Sequence, residues 1–555
     1  MTRTLPRLGA LAIVAVLAAA VIVLDLAIPR SAVSDQEPVN AGPAIAGAWY
    51  CAAGSTQDGS TVRYYAATPR TADGAASEVT ASFFQGGTVT GHTATRVFPF
   101  TSAHFDAAVD RPTVAAGIRW FVEPAAVTRS WQVRGAGLPS GVVEGPCASG
   151  PSTTWFIPGM TTAGGAQARV YLTNPFATDS SVAVRLTSPS GAIEPVLLEN
   201  LLVSARSTTV LELNDHAPEQ SDLGVAITAR SGRIVAEGVQ LVSAAIGGID
   251  GVSLARATPR LAETWTVPFA LADPVGGEEP QDPQPGQEPS DGETDEPTPA
   301  ATDEPAPVAT ETPPSQSPSS VTDVAQASSW IWISNPNPEP AAVSLAMHTE
   351  AGLVLPDLGE ELSVPADGQL RVDLGPLVPD DGRATGVTIR SENGVEVAVS
   401  VATVVRDGDG RTGLSIQRGD TAPDTVYVLT GVGRPGRRQF LDLVNPGADT
   451  AIVDVSIFNG ITVLRPAELQ GLEVAPGGLL VAELGSALEA AEEITAIVSV
   501  RQGSLVAGRH AFNREGAMDW VAHTGITAAL WRGGAVVPQV RNDPTLTRRL
   551  GTSVE

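Results

Sequence analysis

Three times along this chain an apolar alternation runs into Asn-Pro and then resumes. The stretches are "ARVYLTNPFATDSSVAVRL" at Asn174-Pro175, "SWIWISNPNPEPAAVSLAM" at Asn335-Pro336 and "RRQFLDLVNPGADTAIVDVSIF" at Asn445-Pro446. Proline has no N–H to continue a ladder, and asparagine hydrogen-bonds back to nearby backbone, so each pair marks a strand end. An aromatic strand lies upstream: Trp155 in "TTWFIPGM" is 19 residues before Asn174, and Tyr427 in "DTVYVLTG" is 18 before Asn445. Downstream, each copy reaches a glycine between two strand-like runs. Asn174 to Gly232 is 58 residues, Asn335 to Gly394 is 59 and Asn445 to Gly503 is 58. A period that close makes internal repetition the first fact about the chain.

A degenerate copy stands in front. "AWYCAAG" (48–54) matches "TWFIPG", Thr68-Pro69 stands where Asn-Pro is expected, and a further 58 residues lead to Ala126. The first strand of the copy holding Asn335 is "ETWTVPFALADP" (263–274), separated from its Asn-Pro strand by 276–326. That stretch is rich in Pro, Glu, Asp, Thr and Ser and has no basic residue. It buries too little apolar surface to offset ordering, so disorder is expected there, and the repeat register makes it an insertion inside the third copy. Each copy reads as six to eight short alternating runs separated by turns, the pattern of an antiparallel sandwich. The expected fold is therefore all-β: tandem Ig-like antiparallel β-sandwiches over 45–150, 151–262, 263–421 and 422–535, with a flexible tail at 536–555. Each copy is expected to have its own core, and the four to be strung out from a membrane.

The membrane enters through the N-terminus. Arg3 and Arg7 precede "LGALAIVAVLAAAVIVL" (8–24), followed by Asp25 and "LAIP". The run is longer than a signal-peptide core and, over 8–28, long enough to span as a helix. The basic residues put the N-terminus in the cytoplasm. A single-pass signal anchor with 31–555 extracellular is expected, with a cleaved, secreted form as the alternative. Cys51 and Cys147, the only cysteines, bracket the first copy, and in an exported chain such a pair is expected to form a disulfide.

Charge and motifs exclude more than they assign. The formal net charge is −27 and all 34 basic residues are arginine. That argues against a nucleic-acid partner and excludes lysine-dependent phosphate loops and Schiff bases. "GVGRPG" (431–436) fits a dinucleotide glycine pattern but runs into a strand instead of a helix, so no nucleotide is expected. "DGDGRTG" (407–413) begins like a calcium loop, yet Arg411 occupies a ligand position and no closing Glu follows. The six histidines show no zinc spacing, and no serine nucleophile elbow occurs. No catalytic residue, metal or cofactor is expected. Trp330 and Trp332 share one face of a strand. Two readings stand: an exposed platform for a glycan, or a sandwich strand covered by a neighbouring domain.

With the anchor, the "WYC" and "WF" strand starts, the repeated "NP" and the late glycine hairpins, the chain resembles a family of uncharacterised secreted or membrane-anchored envelope proteins of actinobacteria, known only as a domain of unknown function. The resemblance covers most of residues 1–530 and implies location and architecture; it carries no catalytic residues. The expected function is a non-enzymatic, membrane-anchored scaffold or binding protein of the cell envelope, with an envelope protein or a cell-wall glycan as partner. The alternative is a glycan-binding protein that assists cell-wall polymer assembly.

Overall fold

The computed structural model describes residues 46–527, apart from 69–75, 99–100, 108–110, 136–138, 244–248, 275–323, 359–361, 380–382, 433–435, 460–461, 485–492 and 514–518. The expected anchor at 8–28 and the tail at 536–555 lie outside the described residues, as does most of the insertion. Among the described residues no helix is long and apolar enough to cross a membrane.

The described chain is all-β. Copy 1 holds β1 (Ala46–Cys51), β2 (Thr61–Thr68), β3 (Ser77–Gln85), β4 (Thr88–Val97), β5 (Thr101–Asp106), β6 (Ala115–Phe121), β7 (Ala126–Val133) and β8 (Gly141–Pro146). They form two antiparallel sheets, ordered β1-β6-β3-β4 and β5-β2-β7-β8. Copies 2 to 4 repeat this order, except that two short strands on the edge of the third strand replace β4. The layering is that of a sandwich. The order is its own, because β1 pairs with β6 here, whereas in the immunoglobulin constant sandwich the first strand lies beside the second.

The Asn-Pro residues end the second strand of copies 2 to 4, as the sequence requires, and they do more. Each asparagine Nδ2 donates to the carbonyl four residues on: Asn174 to Thr178, Asn335 to Glu339 and Asn445 to Asp449, all at 2.8 Å. Each also donates to the carbonyl 29 residues on, at Val203, Val364 and Val474. Each Oδ1 accepts the amide two residues on. A buried amide thus ties the strand end to the segment that leads into the fifth strand.

The late glycines take φ near +75° at Gly232, Gly394 and Gly503, a region glycine enters without strain. They do not turn hairpins. The strands on either side lie in opposite sheets, so each glycine heads an arch across the sandwich. The first-strand aromatic locks the arch by donating to its carbonyl: Trp49 to Ala125, Trp155 to Ile234, Trp265 to Val397 and Tyr427 to Leu505, at 2.7–2.8 Å. In copy 3 that aromatic lies on Thr264–Leu271, and the Asn-Pro strand is Gln326–Asn335. Residues between them therefore separate the first two strands of one sandwich.

From Ala46 on, the described residues form one compact unit. The expectation of a string of sandwiches fails, and the reason is visible in the contacts between copies. The first strand of each copy packs on the seventh strand of the next, and the third strand on the fifth of the next. Copy 4 repeats both contacts with copy 1: Val426–Val432 lies on β7, and Ala451–Asn459 on β5. A head-to-tail contact that returns to its start closes a ring. At the centre the last strands, β8, Gly251–Ala255, Thr412–Arg418 and Val521–Thr524, touch in cyclic order. Cores follow suit. Trp265, Ile331, Val343 and Ile389 fill the inside of copy 3, whereas Phe269, Val405, Phe440 and Trp520 form a core shared by copies 3 and 4.

Candidate functional site

Two places in the ring concentrate chemistry: the four seams around the axis, and an outer groove between copies 2 and 3. The seams use the same backbone position with different side chains. Four residues past the first-strand aromatic stand Ala53, Gly159, Phe269 and Gly431.

At the seam of copies 1 and 2, Glu237 Oε2 accepts from Arg129 Nη1 and from the amides of Ala52 and Ala53, each at 2.8 Å. At the seam of copies 2 and 3, the Trp332 ring lies over Gly159, where a Cβ would clash at 2.2 Å, and its Nε1 donates to Asp222 at 2.7 Å. At the seam of copies 3 and 4, Phe269 stacks on His510 with ring centres 4.0 Å apart, and His510 stacks on Phe440 at 4.6 Å. His348 bridges the same seam, Nδ1 to the Gly477 carbonyl at 3.0 Å and Nε2 to Thr388 at 2.8 Å.

The closing seam is ionic. Glu144 of copy 1 accepts from Arg437 at 2.9 Å and Arg509 at 2.7 Å, both of copy 4. All three side chains are 1% exposed or less. Burial alone would push the Glu144 carboxyl up, but the two guanidiniums more than offset it and hold it down at about 2. Beside it His523 is pushed down to about 3, by burial first and then by Arg509. A cavity of about 10 Å³ lies on the axis, lined among others by Glu144, Arg256, Gln417 and His523. It has room for about one water molecule.

The groove is larger, about 640 Å³ and open to solvent. Its floor is apolar, with Phe156, Val184, Ala226 and Leu261, and its rim carries Arg230, Glu194 and Glu199. Arg185 bolts the two copies together beneath it, donating to the Pro336 carbonyl at 2.6 Å and pairing with Asp367 at 2.5 Å. The adjoining 3-10 turn Val196–Leu198 leaves Val196 and Leu197 78% exposed.

The residues singled out from sequence fall elsewhere. Cys51 and Cys147 form the expected disulfide, with Cα atoms 4.8 Å apart. Trp330 and Trp332 do not form an exposed platform: Trp332 is 1% exposed, its ring stands at 84° to Trp330, and the Arg371 guanidinium covers Trp330 at 4.3 Å. Trp332 is a strand residue covered by its neighbour, the second of the two readings. Gly431 lies in a strand and Arg437 opens the next, so "GVGRPG" joins two strands. In "DGDGRTG" the Asp407 carboxylate accepts the Arg411 side chain and the amides of Asp409 and Arg411. Among the described residues no cluster of His, Cys, Asp or Glu could hold a metal.

Sequence reasoning missed the axis. A signal was present: Arg129 in "AVTRSWQV" and Arg509 in "VAGRHAF" sit at the same register of the seventh strand in copies 1 and 4, where an unpaired buried guanidinium would be costly.

No curated protein matches the chain. One solved structure, titled as an alpha-L-rhamnosidase of Streptomyces avermitilis complexed with L-rhamnose, is 8% identical, with a TM-score of 0.11; the alignment covers 80% of this chain and 54% of that one, about half its length. Another, titled as a tetra-tandem repeat in the extending region of a large adhesion protein, is 11% identical over 82% of this chain and 93% of that one, with a TM-score of 0.09. Neither likeness carries an argument about fold or function. The model of a family of unknown function, DUF5719, matches residues 119–274, 319–435 and 395–548, together more than half of the chain. Each match runs across at least one seam, from late strands of one copy into the next. The chain belongs to the DUF5719 family.

Proposed function

We propose that this protein is a non-enzymatic scaffold of the cell envelope, held at the membrane by residues 8–28, that presents its outer groove to a wall component. The observation that carries this reading is ring closure: Glu144 joins copy 1 to copy 4, so four sandwiches act as one rigid platform. The Cys51–Cys147 disulfide suits an oxidising compartment, in keeping with an exported body. An open groove with exposed apolar residues beside it is the kind of surface that marks a binding site.

The glycan reading draws on the groove, not on Trp330 and Trp332. A half-exposed phenyl face, Phe156, lies among Arg230, Glu194 and Glu199, which supply the apolar stacking and hydroxyl partners a sugar chain needs. The compact unit 46–555 is tested for retention on purified wall polysaccharide and on peptidoglycan, beside Phe156→Ala and Arg230→Glu. Saturable retention by the wild type that both variants lose is the expected result. Retention unchanged in both variants would remove the groove from the account, and no retention on either polymer would end the glycan reading.

A further inference from the structure

The short strands that edge the third strand belong to one segment of the repeat. Up to the valine 29 residues past each asparagine, copies 2 to 4 align without a gap: "GAIEPVLLENLLV" (191–203), "GLVLPDLGEELSV" (352–364) and "TVLRPAELQGLEV" (462–474). The closing valines, Val203, Val364 and Val474, are 1% exposed or less. Three outward positions differ between copies. Val196 of copy 2 stands where copies 3 and 4 have Asp357 and Ala467, Leu197 where they have Leu358 and Glu468, and Leu202 where they have Ser363 and Glu473. Leu358 packs on the core of its own copy. Val196, Leu197 and Leu202 instead face solvent, at 78%, 78% and 58% exposed. Copy 3 exposes Leu353 and Leu355, at other positions of the segment. The fold does not need apolar residues at these three positions, and a cluster of them on a surface marks a contact.

The cluster is continuous with the groove. Glu194, Pro195 and Glu199 of the same segment line it. Leu202 pairs with Ser181, which shares one strand face with Ala183 and Arg185, and those two also line the groove. The lining suits a hydrocarbon chain better than a bare sugar. Phe156 is its single aromatic ring among the described residues, and Val184, Ala226 and Leu261 offer no flat face for a sugar ring to stack on. A volume of about 640 Å³ is that of a small-molecule site. Three exposed side chains are far fewer than the roughly 20–30 residues a side of a stable protein interface, and a flat bilayer does not enter a groove.

We propose that the groove binds an amphiphile. Its hydrocarbon chain covers the apolar floor together with Val196, Leu197 and Leu202, and its hydroxylated headgroup meets Arg230, Glu194 and Glu199 on the rim. Arg230 donates to headgroup oxygens, and the two carboxylates accept from its hydroxyls. The proposal rests on the groove as a glycan site and narrows it: the sugar arrives joined to a lipid chain.

Residues 46–555 are titrated by calorimetry with methyl, hexyl and octyl glucoside, below the concentrations at which these form micelles. The apolar run 8–24 is left out because it would itself take up detergent. Affinity should rise about three- to fourfold for each methylene buried, so at least about tenfold from methyl to octyl glucoside. Val196→Asp combined with Leu197→Glu places there residues that copies 3 and 4 carry at the same positions. That variant should lose the dependence on chain length and keep its melting midpoint. Leu355→Arg, the copy 4 residue at an exposed position of copy 3, should keep the dependence. Equal affinity for the three glucosides would overturn the proposal, as would a dependence that survives the double variant or that Leu355→Arg also removes. The glycan reading fails on a separate result, the absence of retention on wall polymers.

Discussion

Copies 1 and 3 sit opposite each other in the ring and are held by different physics. Copy 1 has lost the Asn-Pro staple. Thr68 stands in its place, and the buried hydroxyl finds no partner. It holds instead by a disulfide and by two ionic seams, Arg129–Glu237 on one side and Glu144 with Arg437 and Arg509 on the other. Copy 3 keeps the staple at Asn335 and carries the long insertion. Its seams centre on aromatic rings, Trp332 over Gly159 and Phe269 against His510, with the Arg185–Asp367 pair beside the first. The backbone period fixes where neighbours meet; it leaves open which interaction does the joining. Ionic seams are specific but sensitive to the loss of one partner, whereas aromatic seams depend on shape.

The largest expected effect falls on copy 1. Replacing both Cys51 and Cys147 by Ser frees a loop with a separation of 96 residues, which should cost about 4–5 kcal/mol on the chain-entropy model. Urea unfolding measures it, and a loss under about 1 kcal/mol would mean the ionic seams alone hold the copy. Next is Glu144→Gln, which removes the buried carboxylate that Arg437 and Arg509 both bind. A loss of about 3–5 kcal/mol is expected, with copy 4 exchanging amide hydrogens faster than copy 2. Equal exchange in the two copies would place the closing energy elsewhere.

Acid should separate the two kinds of seam. His523 at the ionic closure is pushed down to about 3, and His348 at the aromatic seam is pushed down by burial. Both bind a proton less readily in the folded ring than in the unfolded chain, so the unfolded chain binds more protons as pH falls below about 6.5, and stability drops from there. At pH 5 His523 alone accounts for about 2 kcal/mol. Glu144 acts lower: with its carboxyl held at about 2, its contribution is complete above about 4.5 and is lost as pH falls toward 2. A melting profile flat from pH 7 to 5 would contradict the histidine assignment.

Two smaller changes sharpen the contrast. Trp332→Phe removes the bond to Asp222 and part of the ring over Gly159, at about 1–3 kcal/mol. That cost should hardly change with salt, whereas a marked salt dependence would make this seam electrostatic after all. Thr68→Asn restores the missing staple residue in copy 1 and should add up to about 1 kcal/mol. A destabilised variant would show that the copy has diverged too far to accept it.

The within-copy structure was legible because its determinants are local and repeated. Asn174, Asn335 and Asn445 make the same three bonds, Gly232, Gly394 and Gly503 share one backbone angle, and the first-strand aromatics reach the same carbonyl. The ring was not legible. Its closing bonds join residues 293 and 365 apart, and at the shared seam position Ala53, Gly159, Phe269 and Gly431 have no common chemistry. Trp330 and Trp332 show the limit most sharply: alternation put them on one face, away from Ile331 and Ile333, but only the neighbouring copy decides that Trp332 is covered. The groove is built the same way, from Phe156, Arg230 and Leu261 of one copy and Pro336 and Asn337 of the next.

Small-angle scattering of residues 46–555 tests closure most directly. A single compact body of this length has a radius of gyration of about 24 Å, raised modestly by the acidic insertion. The closed ring predicts a value near that and a single-peaked distance distribution, shifting outward in Glu144→Gln. A radius of roughly 40 Å or more, far above the compact-body value, with separate peaks for successive sandwiches, would mean that the copies are strung out and that copy 4 does not meet copy 1.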